Sequence, residues 1–376
     1  MLIYENIIKN LRDHLKQQRI YGTSPVITNK NSNFVRTTGH GMGARFIQKL
    51  KTSISLINTI ILWIQFFHEI GKVKQVTTAR NLLFAVAMTT LYFVHWIVHK
   101  QGESIAELYN MFLRFEERYE KEFQIPNLLT KGEKRLVQFC IKNAYQGVPP
   151  TAMLYSSQRW FAPCNSATVG YVFMPECKNN MGHHVKWGIP SQISLALVCI
   201  VSFWINLDAL GNYVYYNNTL SFSWSYSLCV YIKLFREDAV AKLRNGDRSG
   251  LLMYRELQLL CRYYNCIQQD ALMGAYIFLV VNIFVIGNYV LIAMGGNIAL
   301  NELFMFVLVS IQQFLYIYVY FGVFARVNTD SEEVIKSVKQ RGVVLVKQER
   351  MRRWATKYVR SLQPLKVNIG TNDIIY

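Results

Sequence analysis

Residues 271 to 301 contain no Asp, Glu, Lys or Arg, and a second uncharged run, Leu303 to Ala325, follows after Glu302. About 20 apolar residues in a helix cover the roughly 30 Å hydrocarbon core of a bilayer. With no water there to satisfy backbone N–H and C=O groups, a spanning segment closes its hydrogen bonds within itself as a helix. Each run is therefore long enough to be a transmembrane helix. Gly295-Gly296-Asn297 supplies the turn that makes the two a helical hairpin.

Other spans follow on the same criterion. Asn81 to Val98 is apolar except for one His, Thr52 to Phe67 is a shorter run finished by His68 and Glu69, and Trp187 to Leu207 is uncharged. Leu136 to Tyr155 is interrupted by Lys142 and closes on Pro149-Pro150, which end or kink a helix. With six spans, the segments on alternating sides carry 34 Lys and Arg against six. The richer side is cytoplasmic by the positive-inside rule, so both termini lie inside. The expected fold is an all-α polytopic bundle of six spans, with a basic N-terminal segment (1–51), a helical bundle (52–325) and a basic tail (326–376).

One placement stays open. Ala209 to Ile232 is a further uncharged run beyond Asp208 and reads as an additional span or as part of a long, bent helix from Trp187 to Arg244. As an added span it displaces 136–155 and puts the sequon at Asn217 outside, where it is glycosylated. The bent helix leaves the sequon inside and is the favoured reading.

Composition excludes other classes. The net charge of +18 would suit nucleic acid, but the aromatic residues lie within the uncharged runs rather than among the basic ones. No signal peptide precedes the first span. The seven cysteines form no CxxC pair, so no zinc or redox framework is indicated. No phosphate loop, serine nucleophile motif or metal-ligand set is present, and nothing asks for an enzyme or a cofactor. A basic amphipathic helix is expected at Tyr4 to Gln18, and a second amphipathic helix at Ser104 to Phe123, where Leu108, Met111, Phe112, Phe115 and Tyr119 share a side. Glu332 to Arg360 is a third helical stretch.

Several constellations carry two readings. His95 and His99 share a helix face at the spacing of membrane di-iron enzymes, yet only His183-His184 remains to complete a shell, on the other side of the membrane. Two interfacial histidines are the plainer account. Asp208 within an apolar stretch is either a functional carboxylate or one that snorkels to the inner surface. Gln312-Gln313 lines a polar path or bonds between helices. Cys164 and Cys177, in the one sizeable outer loop, form a disulfide or stay free thiols. Gly287-Asn288 is the sole hint of a broken helix of the transporter kind.

The last stretch is the most distinctive. Arg350 to Arg360 reads as a basic helix, broken at Pro364 in Gln363-Pro364-Leu365-Lys366 and followed by an extended run to Gly370. This resembles the segment before the seventh helix of insect odorant receptors, and also arthropod gustatory receptors. The cytoplasmic N-terminus and the Tyr254-Arg-Glu-Leu-Gln helix ahead of the hairpin agree with that superfamily. The resemblance implies a chemoreceptor subunit of a ligand-gated, non-selective cation channel in the plasma membrane. The channel is a homo- or heterotetramer, with a small organic ligand and no nucleic-acid partner. It implies a pocket in the outer half of the bundle, where Phe84, Met88, Tyr155, Gln192, Phe306 and Tyr316 have suitable depth and side-chain type. The family's pore-lining seventh helix would begin where this chain stops, at Tyr376, so the expectation is a chain incomplete at its C-terminus that does not conduct alone. The alternatives are a multi-span transporter and a non-conducting scaffold whose basic tail binds anionic lipid or a partner.

Overall fold

The computed structural model of the 376-residue chain describes residues 26–28, 35–37, 42–71, 75–122, isolated positions between 135 and 156, 189–214, 221–269, 272–297, 300–343 and 346–368. Its helices are α1 (Met42–Glu69), α2 (Gln75–Lys100), α3 (Gly102–Glu122), α4 (Ile189–Val214), α5 (Ser223–Arg244), α6 (Ser249–Gln269), α7 (Leu272–Met294), α8 (Leu300–Ser337) and α9 (Glu349–Ser361). A short antiparallel ribbon, β1 (Val26–Thr28) with β2 (Val35–Thr37), lies against α3. Among the described residues α1, α2, α4, α7 and α8 are long and apolar enough to cross a membrane. The fold is an all-α polytopic bundle.

The hairpin expected over 271–325 is α7 and α8, joined through a 3-10 turn at Gly295–Asn297. Gly287 does not break α7, which runs unbroken to Met294. It marks a close approach, because a Cβ at Gly287 would collide with Ser310 Oγ on α8. Asn288 turns its amide back onto the Phe284 carbonyl at 2.7 Å. At about 1.5 Å rise per residue, α8 is about 57 Å long, nearly twice the thickness of the apolar layer. Its uncharged part ends at Ala325, and the helix packs along α5.

Two halves result. In the membrane half α2 packs on α1, α4 and α7. In the other half α3, α5, α6, the far end of α8 and α9 enclose the largest apolar cluster. α3 is the amphipathic helix expected from its pattern, with Leu108, Phe112, Phe115 and Tyr119 buried.

Three expectations change. The first span begins at Phe46 rather than Thr52 and so takes in Lys51. The uncharged run 209–232 is divided between the end of α4 and the start of α5, and α5 is not among the helices apolar enough to span. The stretch 332–360 comprises the end of α8, a π-turn at Val338–Gly342 and the separate helix α9. Most of the expected third span lies outside the described residues; of those described, Val148 and Ala152 pack on Leu207, and Asn206 donates to Ser156 Oγ at 3.4 Å. The segment Tyr4 to Gln18, His183-His184, Cys164, Cys177 and the Asn217 sequon lie outside the described residues.

Candidate functional site

Two constructions stand out, and both tie together segments far apart in sequence. The first is built on Asp208, near the C-terminal end of α4. Lys51 from α1 brings its Nζ to 3.2 Å from Asp208 Oδ1, and His95 from α2 brings its Nδ1 to 3.2 Å from Oδ2. All three side chains are no more than 5% exposed. Asp208 therefore does not snorkel to water; it is held among buried partners. Lys51 Nζ also sits 4.7 Å from the centroid of the Trp204 ring, which offers it a cation–π contact in place of lost hydration. Thr52, next to Lys51 on α1, donates to the Gln48 carbonyl at 3.0 Å and lies 3.1 Å from His95 Nε2. Asn212 donates to the Asp208 carbonyl at 2.9 Å, and its Nδ2 is 3.0 Å from His95 Nδ1.

The HxxxH pair is therefore not a pair of solvated interfacial rings. His95 is buried in this network, and the His99 ring packs edge-on against it at 4.5 Å. Among the described residues no group of three or more His, Cys, Asp or Glu side chains is arranged to hold a metal ion. The cluster brings residues near the start of α1, the end of α2 and the end of α4 to one level.

The second construction straps the tail to α6. Pro364 has no N–H to continue a helix and disfavours helical backbone in the residue before it. α9 ends at Ser361, and Leu362 is already extended. Residues 362–368 then run along α6, whose Tyr254, Gln258, Cys261 and Asn265 share one face at spacings of four, three and four. Tyr254 and Gln258 both donate to the Gln363 carbonyl. Cys261 and Asn265 donate to the Lys366 carbonyl, at 3.2 and 2.7 Å. Asn265 Oδ1 accepts from the Asn368 N–H at 3.1 Å, and Ser331 of α8 accepts from the Leu365 N–H at 3.0 Å. Burial pushes the Cys261 thiol up to about 12, against the smaller opposing pull of its bond to Lys366. Burial likewise raises the Tyr254 phenol, outweighing the effect of the hydroxyl of Ser331. Both groups act as neutral donors.

No family model and no curated protein matches the chain. Solved structures do. Over 97% of its length the chain superposes on 92% of the insect olfactory receptor OR5 of Machilis hrabei, with TM-score 0.65 at 11% identity. The same receptor in complex with eugenol gives a TM-score of 0.64 with the same coverage and identity. This is the insect olfactory receptor fold. The tail that carried the sequence resemblance is, in this olfactory-receptor-like chain, the strapped segment on α6.

The residues expected to line a ligand pocket are not gathered in one place. Met88 belongs to a buried cluster with Leu62, Ala85 and Ala209 where α1, α2 and α4 meet. Phe306 is fully buried against Leu83, Val86, Leu279 and Ile283, where α2, α7 and α8 meet. Phe84 is half-buried one turn from Met88, and Gln192 is exposed at the start of α4. Tyr316 packs deeper, with its ring 5.5 Å from Tyr320 and on the edge of the large cluster. Tyr155 lies outside the described residues. Of the glutamines on α8, Gln313 is buried and Gln312 exposed. The functional candidates that sequence reasoning missed are Lys51 and Asn212. A signal for the first exists: Lys51, Ser55, Asn58 and Gln65 are buried and follow helical spacing along α1, a stripe that extends the span toward its N-terminus.

Proposed function

We propose that the chain is a chemosensory receptor subunit of a ligand-gated, non-selective cation channel in the plasma membrane, assembled as a tetramer with copies of itself or related subunits. The observation that carries this reading is the likeness in fold to an olfactory receptor over nearly the whole of both chains. The ligand is a small, largely apolar organic molecule with a polar handle, the class to which the eugenol bound by the neighbour belongs. It sits in the half of the bundle away from the basic side. The candidate contacts, chosen by depth and side-chain type, are Phe84, Met88, Tyr155, Gln192, Phe306 and Tyr316. Such a ligand acts by preferring one state of the assembly and shifting its population.

Expression in a heterologous cell, alone and with related subunits, followed by cation-flux recording against a panel of small volatile phenols and esters, tests this. Ligand-evoked flux whose concentration dependence moves with Met88→Ala or Phe306→Ala supports it. Surface expression without evoked flux under every pairing would overturn it.

A further inference from the structure

We infer that His95 is a proton-binding site, and that taking up a second proton closes a ring of bonds joining α1, α2 and α4. Each ring nitrogen has an acceptor within 3.2 Å, and Nδ1 faces the Asn212 amide as well. On one edge Thr52 gives its hydroxyl proton to the Gln48 carbonyl, so its oxygen is left to accept from Nε2–H at 3.1 Å. On the other edge the Asp208 carboxylate faces Nδ1 at 3.2 Å. A neutral imidazole carries one N–H and satisfies one of these edges; only the imidazolium donates to both.

Asn212 supplies the alternative state. Its amide orientation is fixed by the bond to the Asp208 carbonyl, which a donor alone can make. Its second N–H therefore points at Nδ1 from 3.0 Å. With Nδ1 bare, Asn212 donates to it while the carboxylate opposes the ring's lone pair. With Nδ1 protonated, the carboxylate accepts and the Asn212 N–H is opposed. The proton thus exchanges one α4 partner for another one turn away. Protonation closes a ring: Lys51 of α1 to Asp208 of α4, Asp208 to His95 of α2, and His95 to Thr52, the neighbour of Lys51. The titratable groups facing His95 are Lys51 from α1, Asp208 from α4 and His99 from its own helix. Lys51 and Asp208 balance each other, so the cluster passes from neutral to a single positive charge. The inference does not depend on the channel reading, because it concerns the resting protein.

The full chain labelled with 15N-histidine, in lipid nanodiscs, tests it by nitrogen chemical shifts at pH 8 and pH 5.5. His95→Gln identifies the signal. The expected result is one protonated nitrogen at pH 8 and two at pH 5.5, with the second lost in Asp208→Asn. Asn212→Leu removes the competing donor and should carry the doubly protonated form to higher pH; the signal that responds also identifies His95 if His95→Gln fails to fold. A bare ring nitrogen at pH 5.5 in the wild type, or no response to Asn212→Leu, overturns the inference.

Discussion

At the basic end of the molecule Trp224 stacks on Tyr264 at 5.3 Å, Phe112 packs against Trp224 at 4.9 Å, and Tyr254, Tyr264 and Ile105 are wholly buried. In the membrane half the apolar clusters are small and separate, and Ile292 is 85% exposed. The specific bonds between helices there are polar: Lys51 and His95 to Asp208, and Trp63 to Thr89 at 2.8 Å. The difference follows from the solvent. Outside the membrane, water drives aromatic and aliphatic side chains together. Inside it, lipid tails are as apolar as leucine, so association relies on close packing and hydrogen bonds.

The sharpest way to break this comparison is to treat both halves alike. Trp224→Ala should destabilise the basic end by about 4 kcal/mol, as large buried aromatics do. Ile292→Ala, on a lipid-facing surface, should leave the thermal midpoint nearly unchanged. Thermal unfolding of the purified protein in detergent reads both. Equal effects would dissolve the distinction.

Next in size is the ion cluster. Asp208→Leu leaves the Lys51 ammonium buried without its carboxylate, which costs about 3 kcal/mol or more, whereas replacing both charges by apolar groups is often near neutral. Lys51→Met with Asp208→Leu should therefore recover most of the loss. A double variant no better than the single one would show that the loss of hydrogen bonds to α4, rather than the orphaned charge, dominates.

Packing between helices is tested at α7 and α8. Gly287→Ala places a methyl group against Ser310 Oγ and should cost about 1–3 kcal/mol, the usual range for overpacking. Ser310→Ala removes the colliding atom, so the double variant should return close to the wild-type midpoint. The test discriminates because small residues at helix contacts matter most where there is no hydrophobic force to compensate.

The sequence made some of this legible and hid the rest for definable reasons. The hairpin of α7 and α8 could be read because its residues carry no charge, a property that needs no partner to interpret. α3 was visible in its helical spacing, and Pro364 marked where α9 gives way to the extended strap. Lys51 was misread because a lysine at the edge of an apolar run looks like the boundary of a span. Its carboxylate partner is 157 positions away, and only the packed bundle shows that the two meet. The polar face of α6 had the same defect. Tyr254, Gln258, Cys261 and Asn265 follow a helical stripe, but the backbone they bind lies about a hundred residues further on. The olfactory receptor fold was legible chiefly through the tail, and the superposition extends it to 97% of the chain.

The smallest expected effect concerns that strap. Asn265 bonds the tail twice, through its amide to Lys366 and through its carbonyl from Asn368. Asn265→Ala removes both bonds and should cost about 1 kcal/mol, two part-buried hydrogen bonds each at the low end of the roughly 0.5–1.5 kcal/mol net range. A loss that small is hard to see in a global midpoint, but two cysteines report it locally. Cys266 is exposed and Cys261 buried beneath the strap. With its thiol pushed up to about 12 by burial, Cys261 has almost no thiolate at neutral pH and should resist a maleimide that labels Cys266 quickly. In Asn265→Ala the strap opens more often, so labelling of Cys261 should quicken by about fivefold, as expected for roughly 1 kcal/mol in an opening equilibrium. Labelling of Cys266 should stay constant. Equal acceleration at both sites would mean that α6 itself has loosened, and the tail would then be held by the apolar contacts of Leu362 and Leu365 rather than by the polar stripe.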